Sequence, residues 1–380
     1  MRTVTSLACL CFCCAAADQT PTLKALYENH DWFRLREVLQ SSADAPPLYR
    51  AAVAAAFHDD AAAERALKDI LGSAKGSWEA GEAARLLYSV TRRTAPDLNQ
   101  PVGALRPSRI RYSVRNRLLH IPLTINGQPL DYVFDTGAGC SLTTESEAKR
   151  LGLEFHDAEA QVLDSVTGSP INIRHIGIAD RMKIGDTEFR RIFFLIFPDE
   201  THFLRDQSPG EIGVLGLPEI ESLGSVRWDA DGNFEFGFPS PEPRPAEPNL
   251  AFDDLRLIVK VEYEKRGLLF QLDTGSVLSG LYVGFRNGFP DLVNQFGKME
   301  KRTRAGAGGE IAYDAMVLPK IGLRTGGLDT VLQPAEINLN QNLGYGYHGL
   351  FGLDLLNQAE AVTLDFRTMS LTLRNRRGGE

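Results

Sequence analysis

Two short stretches decide the fold of this 380-residue chain: YVFDTG at residues 132–137 and FQLDTG at residues 270–275. In each stretch, three residues typical of a β-strand lead into Asp-Thr-Gly, and the two aspartates, Asp135 and Asp273, are 138 positions apart. One such triplet would occur by chance with a probability of about one in ten in a chain of this length and average composition. Two copies at matching strand ends therefore indicate an internal duplication.

Two further pairs of matching segments support the duplication. VLGL at 214–217 corresponds to LFGL at 350–353, and VRWD at 226–229 corresponds to VTLD at 362–365, both at an offset of 136. A short alternating run, FEF or LTL, follows each of the last two segments and is typical of a closing hairpin. We therefore predict two β-rich repeats that share one topology.

This arrangement resembles the aspartic peptidases. It is similar to bacterial members whose lobes look like those of the retropepsins but are fused in one chain, as in the pepsins. The resemblance covers about residues 109–376 and implies a mainly β fold of two barrel-like lobes. It also implies a catalytic mechanism that needs no metal, cofactor or covalent intermediate.

The resemblance implies that Asp135 and Asp273 are the catalytic pair. Carboxylates about 3 Å apart cannot both ionise, so they share a proton and can activate a water molecule between them. That water would attack a peptide carbonyl. Six residues are expected to support the two catalytic loops, and two glycines behind them to be structural: Thr136, Gly137, Ala138, Thr274, Gly275 and Ser276, then Gly216 and Gly352.

The fourth position of each catalytic loop differs, with Ala138 in the first and Ser276 in the second. The family resemblance suggests that the serine hydroxyl donates to the outer carboxylate oxygen and lowers the pKa of the pair. An alanine, typical of retropepsins, leaves that pKa higher. We therefore expect a mildly acidic activity optimum.

Each repeat also contains a candidate flap. Residues 161–173 can form a hairpin with Thr167 and Gly168 at its tip, although they lack the tyrosine of pepsin-like flaps. Residues 305–309, AGAGG, resemble a glycine-rich retropepsin flap through Gly306, Gly308 and Gly309. The alternative for both is a mobile surface loop, because glycine-rich hairpins are common.

The first 17 residues, MRTVTSLACLCFCCAAA, combine a basic start, an apolar core and an Ala-rich end. This pattern predicts a signal peptide and a bacterial protein exported to the periplasm or the medium. The alternatives are a cytosolic chain with an apolar start and a lipoprotein anchored at Cys9. Without this segment Cys140 is the single cysteine, so no intramolecular disulfide is expected.

Residues 18–100 are rich in alanine and show helical periodicity. His30-Asp31 and His58-Asp59 repeat at a spacing of 28, which resembles a degenerate tetratricopeptide array. This module could bind a protein partner or substrates, cover the cleft, or serve as a pro-region or spacer. Five prolines at 238–248 indicate a stiff linker, so we place lobe 1 at 109–238, the linker at 239–249 and lobe 2 at 250–376.

Charge and composition exclude several classes of protein. The net charge is −8 and the pI about 5.5, with no long basic run, which argues against nucleic-acid binding. After the signal segment no apolar run approaches the roughly 18 residues that span a bilayer. The seven histidines show no H-x-H or H-x-x-x-H spacing, so no metal site is predicted.

The sequence therefore favours an aspartic endopeptidase that acts on peptides or proteins. Because both halves of the site are in one chain, a monomer should be sufficient for activity. The alternative is a catalytically weak or inactive peptide-binding module of the same fold that acts through its helical repeats. Both aspartates are intact, which counts against that alternative.

Overall fold

The computed structural model describes residues 22–73, 76–94, 97–163, 167–240, 247–339 and 346–375. The predicted signal peptide, residues 241–246 of the predicted linker and residues 164–166 of the first candidate flap lie outside these ranges. Within them the fold is mainly β, with helices at the N-terminus, as predicted. Every helix in these ranges is too short or too polar to cross a lipid bilayer.

The N-terminal residues 22–94 form the helical module. Its helices in the described ranges are α1 (Leu23–Glu28), α2 (Trp32–Gln40), α3 (Pro47–Ala56), α4 (Asp60–Ser73) and α5 (Trp78–Thr94).

The repeated His-Asp pair makes the turn before α2 and before α4. His30 and His58 have φ angles of 53° and 64°, in the left-handed region that ends a helix or turn. The following Asp31 and Asp59 accept a hydrogen bond from a backbone N–H three residues later, at 3.1 and 3.2 Å, and so cap the next helix. The repeat seen in the sequence is therefore a repeated turn and cap.

Lobe 1 is built on one curled sheet that begins at Gln100, nine residues before the predicted start of the lobe. In chain order its elements are β1 (Gln100–Pro101), β2 (Ser108–Arg111), β3 (Ser113–Arg115), β4 (Leu118–Ile125), β5 (Gln128–Phe134), β6 (Leu142–Thr144), α6 (Glu145–Arg150), β7 (Glu154–Leu163), β8 (Pro170–Ile184), β9 (Thr187–Phe197), β10 (Gly213–Leu215), α7 (Leu217–Ser222), β11 (Ser225–Asp229) and β12 (Asn233–Phe236). Strands β2, β11 and β12 leave this sheet for a second one.

Lobe 2 follows the linker and has a similar order, with two helices and five strands where lobe 1 has α6 and the strands β7 to β9. Its elements are β13 (Leu250–Asp253), β14 (Arg256–Tyr263), β15 (Arg266–Leu272), β16 (Gly280–Leu281), α8 (Val283–Gly288), α9 (Pro290–Phe296), β17 (Lys298–Gly306), β18 (Gly309–Leu318), β19 (Ile321–Thr325), β20 (Leu328–Leu332), β21 (Ala335–Asn338), β22 (Gly349–Phe351), α10 (Leu353–Leu356), β23 (Ala361–Asp365) and β24 (Ser370–Arg374). In both lobes the strand before Asp-Thr-Gly pairs in parallel with a later strand. In lobe 1, β5 pairs with β10, which precedes Gly216, and in lobe 2, β15 pairs with β22, which precedes Gly352.

A separate five-stranded sheet, in the order β2-β12-β11-β23-β24, joins the two lobes. Its central strands are the matching VRWD and VTLD segments, which pair antiparallel with Arg227 opposite Thr363. On either side of this pair, Val226 faces Leu364 and Trp228 faces Val362. Each segment thus pairs with its own duplicate, as a local two-fold axis requires.

The helical module packs on lobe 2 through a shared buried apolar cluster. Lobe 2 contributes Ala251, Ile258, Leu269, Tyr282, Tyr347 and Leu350. Ion pairs surround this interface: Arg85 lies 2.5 Å from Asp254, and Glu37 lies 3.3 Å from Lys260. Because removal of apolar surface from water is favourable, this cluster holds the helical module against lobe 2.

Candidate active site

The two predicted catalytic aspartates follow equivalent strands. Asp135 follows β5 and its backbone N–H donates to the Leu215 carbonyl at 3.1 Å. Asp273 follows β15 and its N–H donates to the Phe351 carbonyl at 3.0 Å. These bonds fix each aspartate where its strand pairs with β10 or β22. Both aspartates point towards the boundary between the lobes.

The threonines after these aspartates interlock the two loops. The N–H of Thr136 donates to Oγ1 of Thr274 at 3.0 Å, and the N–H of Thr274 donates to Oγ1 of Thr136 at 3.1 Å. Each hydroxyl then donates into the opposite lobe, Thr136 to the Leu272 carbonyl and Thr274 to the Phe134 carbonyl. Both threonines are fully buried, so these bonds form away from competing water and hold the loops in register.

The glycines of the two loops allow the carboxyl groups to approach. A Cβ placed on Gly137 would lie 2.4 Å from Cγ of Asp273, and one on Gly275 would lie 2.3 Å from Cγ of Asp135. Real Cβ atoms do not come this close to other heavy atoms. Each glycine therefore makes room for the aspartate side chain of the other lobe.

Asp135 and Asp273 hydrogen-bond one another through their side chains. Oδ1 of Asp135 also accepts from the backbone N–H groups of Gly137 and Ala138, at 2.7 and 3.1 Å, and Oδ1 of Asp273 accepts from Gly275 at 2.9 Å. Burial raises the pKa of both carboxyls. The pKa of Asp273 lies well above the usual range, because the neighbouring Asp135 adds to the effect of burial.

Ser276 does not bond as the family resemblance suggests. Its hydroxyl donates to the Leu278 carbonyl at 2.9 Å, so its one hydrogen is not available to the carboxylate of Asp273. The backbone N–H of Ser276 lowers the pKa of Asp273 instead, against the larger effect of burial. The equivalent Ala138 packs against an apolar cluster of lobe 1. The serine and alanine loops therefore differ less in their bonding than the sequence indicates.

Gly216 and Gly352 lie directly behind the catalytic loops. A Cβ on Gly216 would lie 2.2 Å from the carbonyl carbon of Cys140, and one on Gly352 would lie 2.8 Å from the Ser276 carbonyl oxygen. Burial raises the pKa of the Cys140 thiol to about 12, which favours its protonated form.

Sequence reasoning missed a serine that braces each catalytic loop. Ser141 accepts from the N–H of Gly216 at 2.9 Å and donates to Glu219 at 2.6 Å. Ser279 accepts from the N–H of Gly352 at 2.8 Å and donates to Asp354 at 2.5 Å. Both serines follow their catalytic aspartate by six residues, a spacing that could have revealed them.

The described residues of each candidate flap belong to a hairpin. Thr167 and Gly168 lie in the turn between β7 and β8, while Gly306 and Gly309 pair at the tip of the β17–β18 hairpin. Ala307, between these glycines, packs against the apolar cluster of lobe 1 that contains Ile171 and Ile173. The flap of lobe 2 therefore reaches across to lobe 1.

A cavity of about 490 Å³ lies where this flap meets lobe 1. Its walls come from strand β8, from the end of β9 and the segment after it, from Glu145 and from the flap tip at residues 307–309. Thr167 and Gly168 do not line it, and neither does any described residue of the helical module. Asp135 and Asp273 do not line it either, so this cavity lies beside the aspartate pair and does not contain it.

One family model matches a part of lobe 1. Residues 121–218, about a quarter of the chain, match the family model described as aspartyl protease. No curated protein sequence matches the chain.

Three solved structures are similar to this one. A retropepsin-like aspartic protease from Rickettsia conorii is 19% identical with a TM-score of 0.26, and the match covers 34% of this chain and 91% of that one. Basic 7S globulin from soybean is 9% identical with a TM-score of 0.40 over 71% and 94% of the two chains. Conglutin gamma from lupine seeds is 10% identical with a TM-score of 0.42 over 70% and 94%. Residues 121–218 are thus similar to the aspartyl protease family, and the predicted resemblance to the aspartyl proteases is confirmed.

Proposed function

We propose that this protein is an aspartic endopeptidase that hydrolyses peptide bonds with a water molecule activated between Asp135 and Asp273. One observation carries the proposal: two interlocked Asp-Thr-Gly loops, one from each lobe, bring the two carboxyl groups into hydrogen-bond contact. Such a pair combines an acid and a base in one place, which acyl transfer to water requires.

The two carboxyls share one proton in the proposed reaction, and each accepts backbone N–H bonds that stabilise negative charge on the pair. The ionised member of the pair takes a proton from the bound water, whose oxygen attacks the peptide carbonyl carbon. The protonated member donates a hydrogen bond to the developing oxyanion. The carbon–nitrogen bond then breaks, the proton taken from the water passes to the leaving amine, and the carbonyl carbon keeps the water oxygen.

The substrate in this proposal is an extended peptide. Strands β7 and β17, one in each candidate flap, are the last strands of their sheets and offer unpaired backbone groups. An extended chain can pair with such edges by adding a strand. The flap of lobe 2, which already reaches lobe 1 through Ala307, would have to lift for a peptide to enter.

One chain forms the complete site in this proposal. Both aspartates belong to the same polypeptide, and the five-stranded sheet that joins the lobes fixes their separation. Export, predicted from residues 1–17, and a protein partner of the helical module remain predictions.

Cleavage of a denatured protein between about pH 3 and pH 7 tests the proposal and its pH dependence. Activity requires one proton on the pair, and the raised pKa of Asp273 delays loss of that proton as the pH rises. We therefore expect the rate to peak on the acidic side of neutrality, above the ordinary aspartate pKa of 3.8, and to fall at alkaline pH.

Mass spectrometry of the products should show internal cuts with free new termini. A rate that rises steadily through neutral to alkaline pH would contradict the shared-proton mechanism. Binding of the denatured protein without any product at any pH would instead favour the peptide-binding alternative.

A further inference from the structure

A second cluster of ionisable side chains lies where the helical module meets lobe 1. The module contributes His58 and Asp60, and helix α7 of lobe 1 contributes Glu221. Nε2 of His58 is 3.2 Å from Oε1 of Glu221 and 3.8 Å from Oδ2 of Asp60. One donor atom from each residue lies within 4.8 Å of the other two. The proposed proteolytic reaction uses none of these groups.

The two carboxylates of this cluster are buried but incompletely paired. The side chain of Glu221 is 9% exposed and that of Asp60 is 11% exposed. The guanidinium of Arg93 donates a hydrogen bond to Oδ1 of Asp60 at 2.5 Å. Within the described ranges, Oδ2 of Asp60 and Oε2 of Glu221 have no hydrogen-bond partner. Since buried acceptors are normally satisfied, these oxygens indicate an occupant beyond the protein side chains.

The donor set favours a cation as this occupant. Two acidic side chains and one imidazole face a single guanidinium, that of Arg93. One imidazole nitrogen and two carboxylate oxygens, with a water in the fourth position, make a donor set that Zn²⁺ accepts. Donors at Zn²⁺ bonding distances in a tetrahedron are about 3.3 to 3.5 Å apart. Here Nε2 of His58 lies 3.2 and 3.8 Å from the two carboxylate oxygens, and all three donors lie within 4.8 Å of one another.

The other histidine of the repeat, His30, makes a direct contact with a carboxylate. Nδ1 of His30 lies 2.7 and 2.8 Å from the two carboxylate oxygens of Asp253 in lobe 2. That carboxylate also accepts the hydroxyl of Tyr347. The first histidine thus joins the module to lobe 2 by direct hydrogen bonds, whereas the second faces carboxylates that keep free oxygens.

We propose that His58, Asp60 and Glu221 bind one divalent transition-metal ion, with Zn²⁺ as the best match, and that this ion ties the helical module to lobe 1. His58 and Asp60 are two residues apart, but Glu221 comes from another domain, so no spacing of histidines could have indicated the site. The ion has no part in peptide hydrolysis and lies behind the catalytic loops, on the helix that follows Gly216.

The test uses the full chain, stripped of metal with a chelator and dialysed, and then titrated with Zn²⁺ by calorimetry. We expect one ion per chain and a rise of the melting temperature with Zn²⁺, since an ion that binds only the folded state stabilises it. Co²⁺ in place of Zn²⁺ should give the visible bands of a tetrahedral site.

His58→Asn and Glu221→Gln should each weaken Zn²⁺ binding by at least about 100-fold, because each removes a direct ligand. Asparagine suits position 58 because it tolerates the positive φ found there. The matched control is His30→Asn, which alters the equivalent turn of the repeat and should leave Zn²⁺ affinity within about two-fold of wild type.

Two results would overturn the proposal. One is an absence of stoichiometric Zn²⁺ binding by the wild-type chain. The other is binding that persists unchanged in both ligand variants, which would place the ion elsewhere. If both variants fail to fold, X-ray absorption of the Zn²⁺-loaded wild type decides, because a first shell without one imidazole nitrogen and carboxylate oxygens would refute the site.

Discussion

Asp135→Asn is expected to reduce peptide cleavage at least about 1,000-fold while leaving the fold intact. Asparagine keeps the size of the side chain and can still accept from Gly137 and Ala138, but it cannot take a proton from water. Asp273→Asn should cause a loss of the same order, because the pair works as a unit. Initial rates at the pH optimum of the wild type measure both effects.

The matched control is Asp186→Asn, an exposed aspartate in the turn between β8 and β9 of the same lobe, which should retain wild-type activity.

The pH dependence of stability gives a second readout. The pKa of Asp273 is raised in the folded state, so its contribution to stability is present at low pH and is lost as the pH rises through that pKa. Asp273→Asn should therefore gain stability relative to wild type as the pH rises. Activity in either dyad variant within ten-fold of wild type would contradict the assignment.

Gly137→Ala is expected to abolish most of the activity through geometry alone. The new Cβ would lie 2.4 Å from Cγ of Asp273, so the carboxyl of the other lobe has to move. A displacement of about 1 Å at a catalytic group can cost about 100-fold in rate, and we expect at least that loss in kcat. The substitution introduces no charge and removes no hydrogen-bonding group. A loss of activity would therefore show that the two loops must lie close together.

Gly322→Ala in strand β19 is the control for this prediction. A Cβ at that position meets no atom within 4 Å, so both activity and melting temperature should stay close to wild type. Circular dichroism of the Gly137→Ala variant should show the native β content. If that variant kept full activity, the two catalytic loops could not lie as close together as the structure places them.

Much of the fold was predictable because the duplication leaves a local signature. The two Asp-Thr-Gly triplets, the strands before them and the VRWD and VTLD segments are each short and continuous in sequence. Periodicity also predicted the N-terminal helices. It could not show that the two matching segments pair with one another, because that pairing depends on how the lobes meet.

The contacts that complete the site were harder to predict from the sequence, since most of them join residues that are distant in the chain. The Ser276 hydroxyl bonds to a carbonyl of its own loop, a local geometry that the residue type does not determine. Ser141 and Glu219 meet only because helix α7 packs behind the catalytic loop. Ala307 of one lobe packs on the other lobe, which no pattern within a single repeat could indicate.

The position of the helical module narrows its role. Its His30 contacts lobe 2, its His58 approaches lobe 1, and none of its described residues lines the cavity at the flap. A segment that covered the cleft would contact the flap and the catalytic loops from the solvent side. The observed contacts therefore place the module against both lobes.

The most direct test of the central claim is titration of proteolytic activity with pepstatin, which occupies the site of an aspartic dyad. With the enzyme at a concentration well above the inhibitor dissociation constant, activity should fall linearly and reach zero at one inhibitor per chain. That result is predicted because Asp135 and Asp273 of one chain form one site. An endpoint at one inhibitor per two chains, or cleavage that pepstatin leaves untouched, would contradict the account.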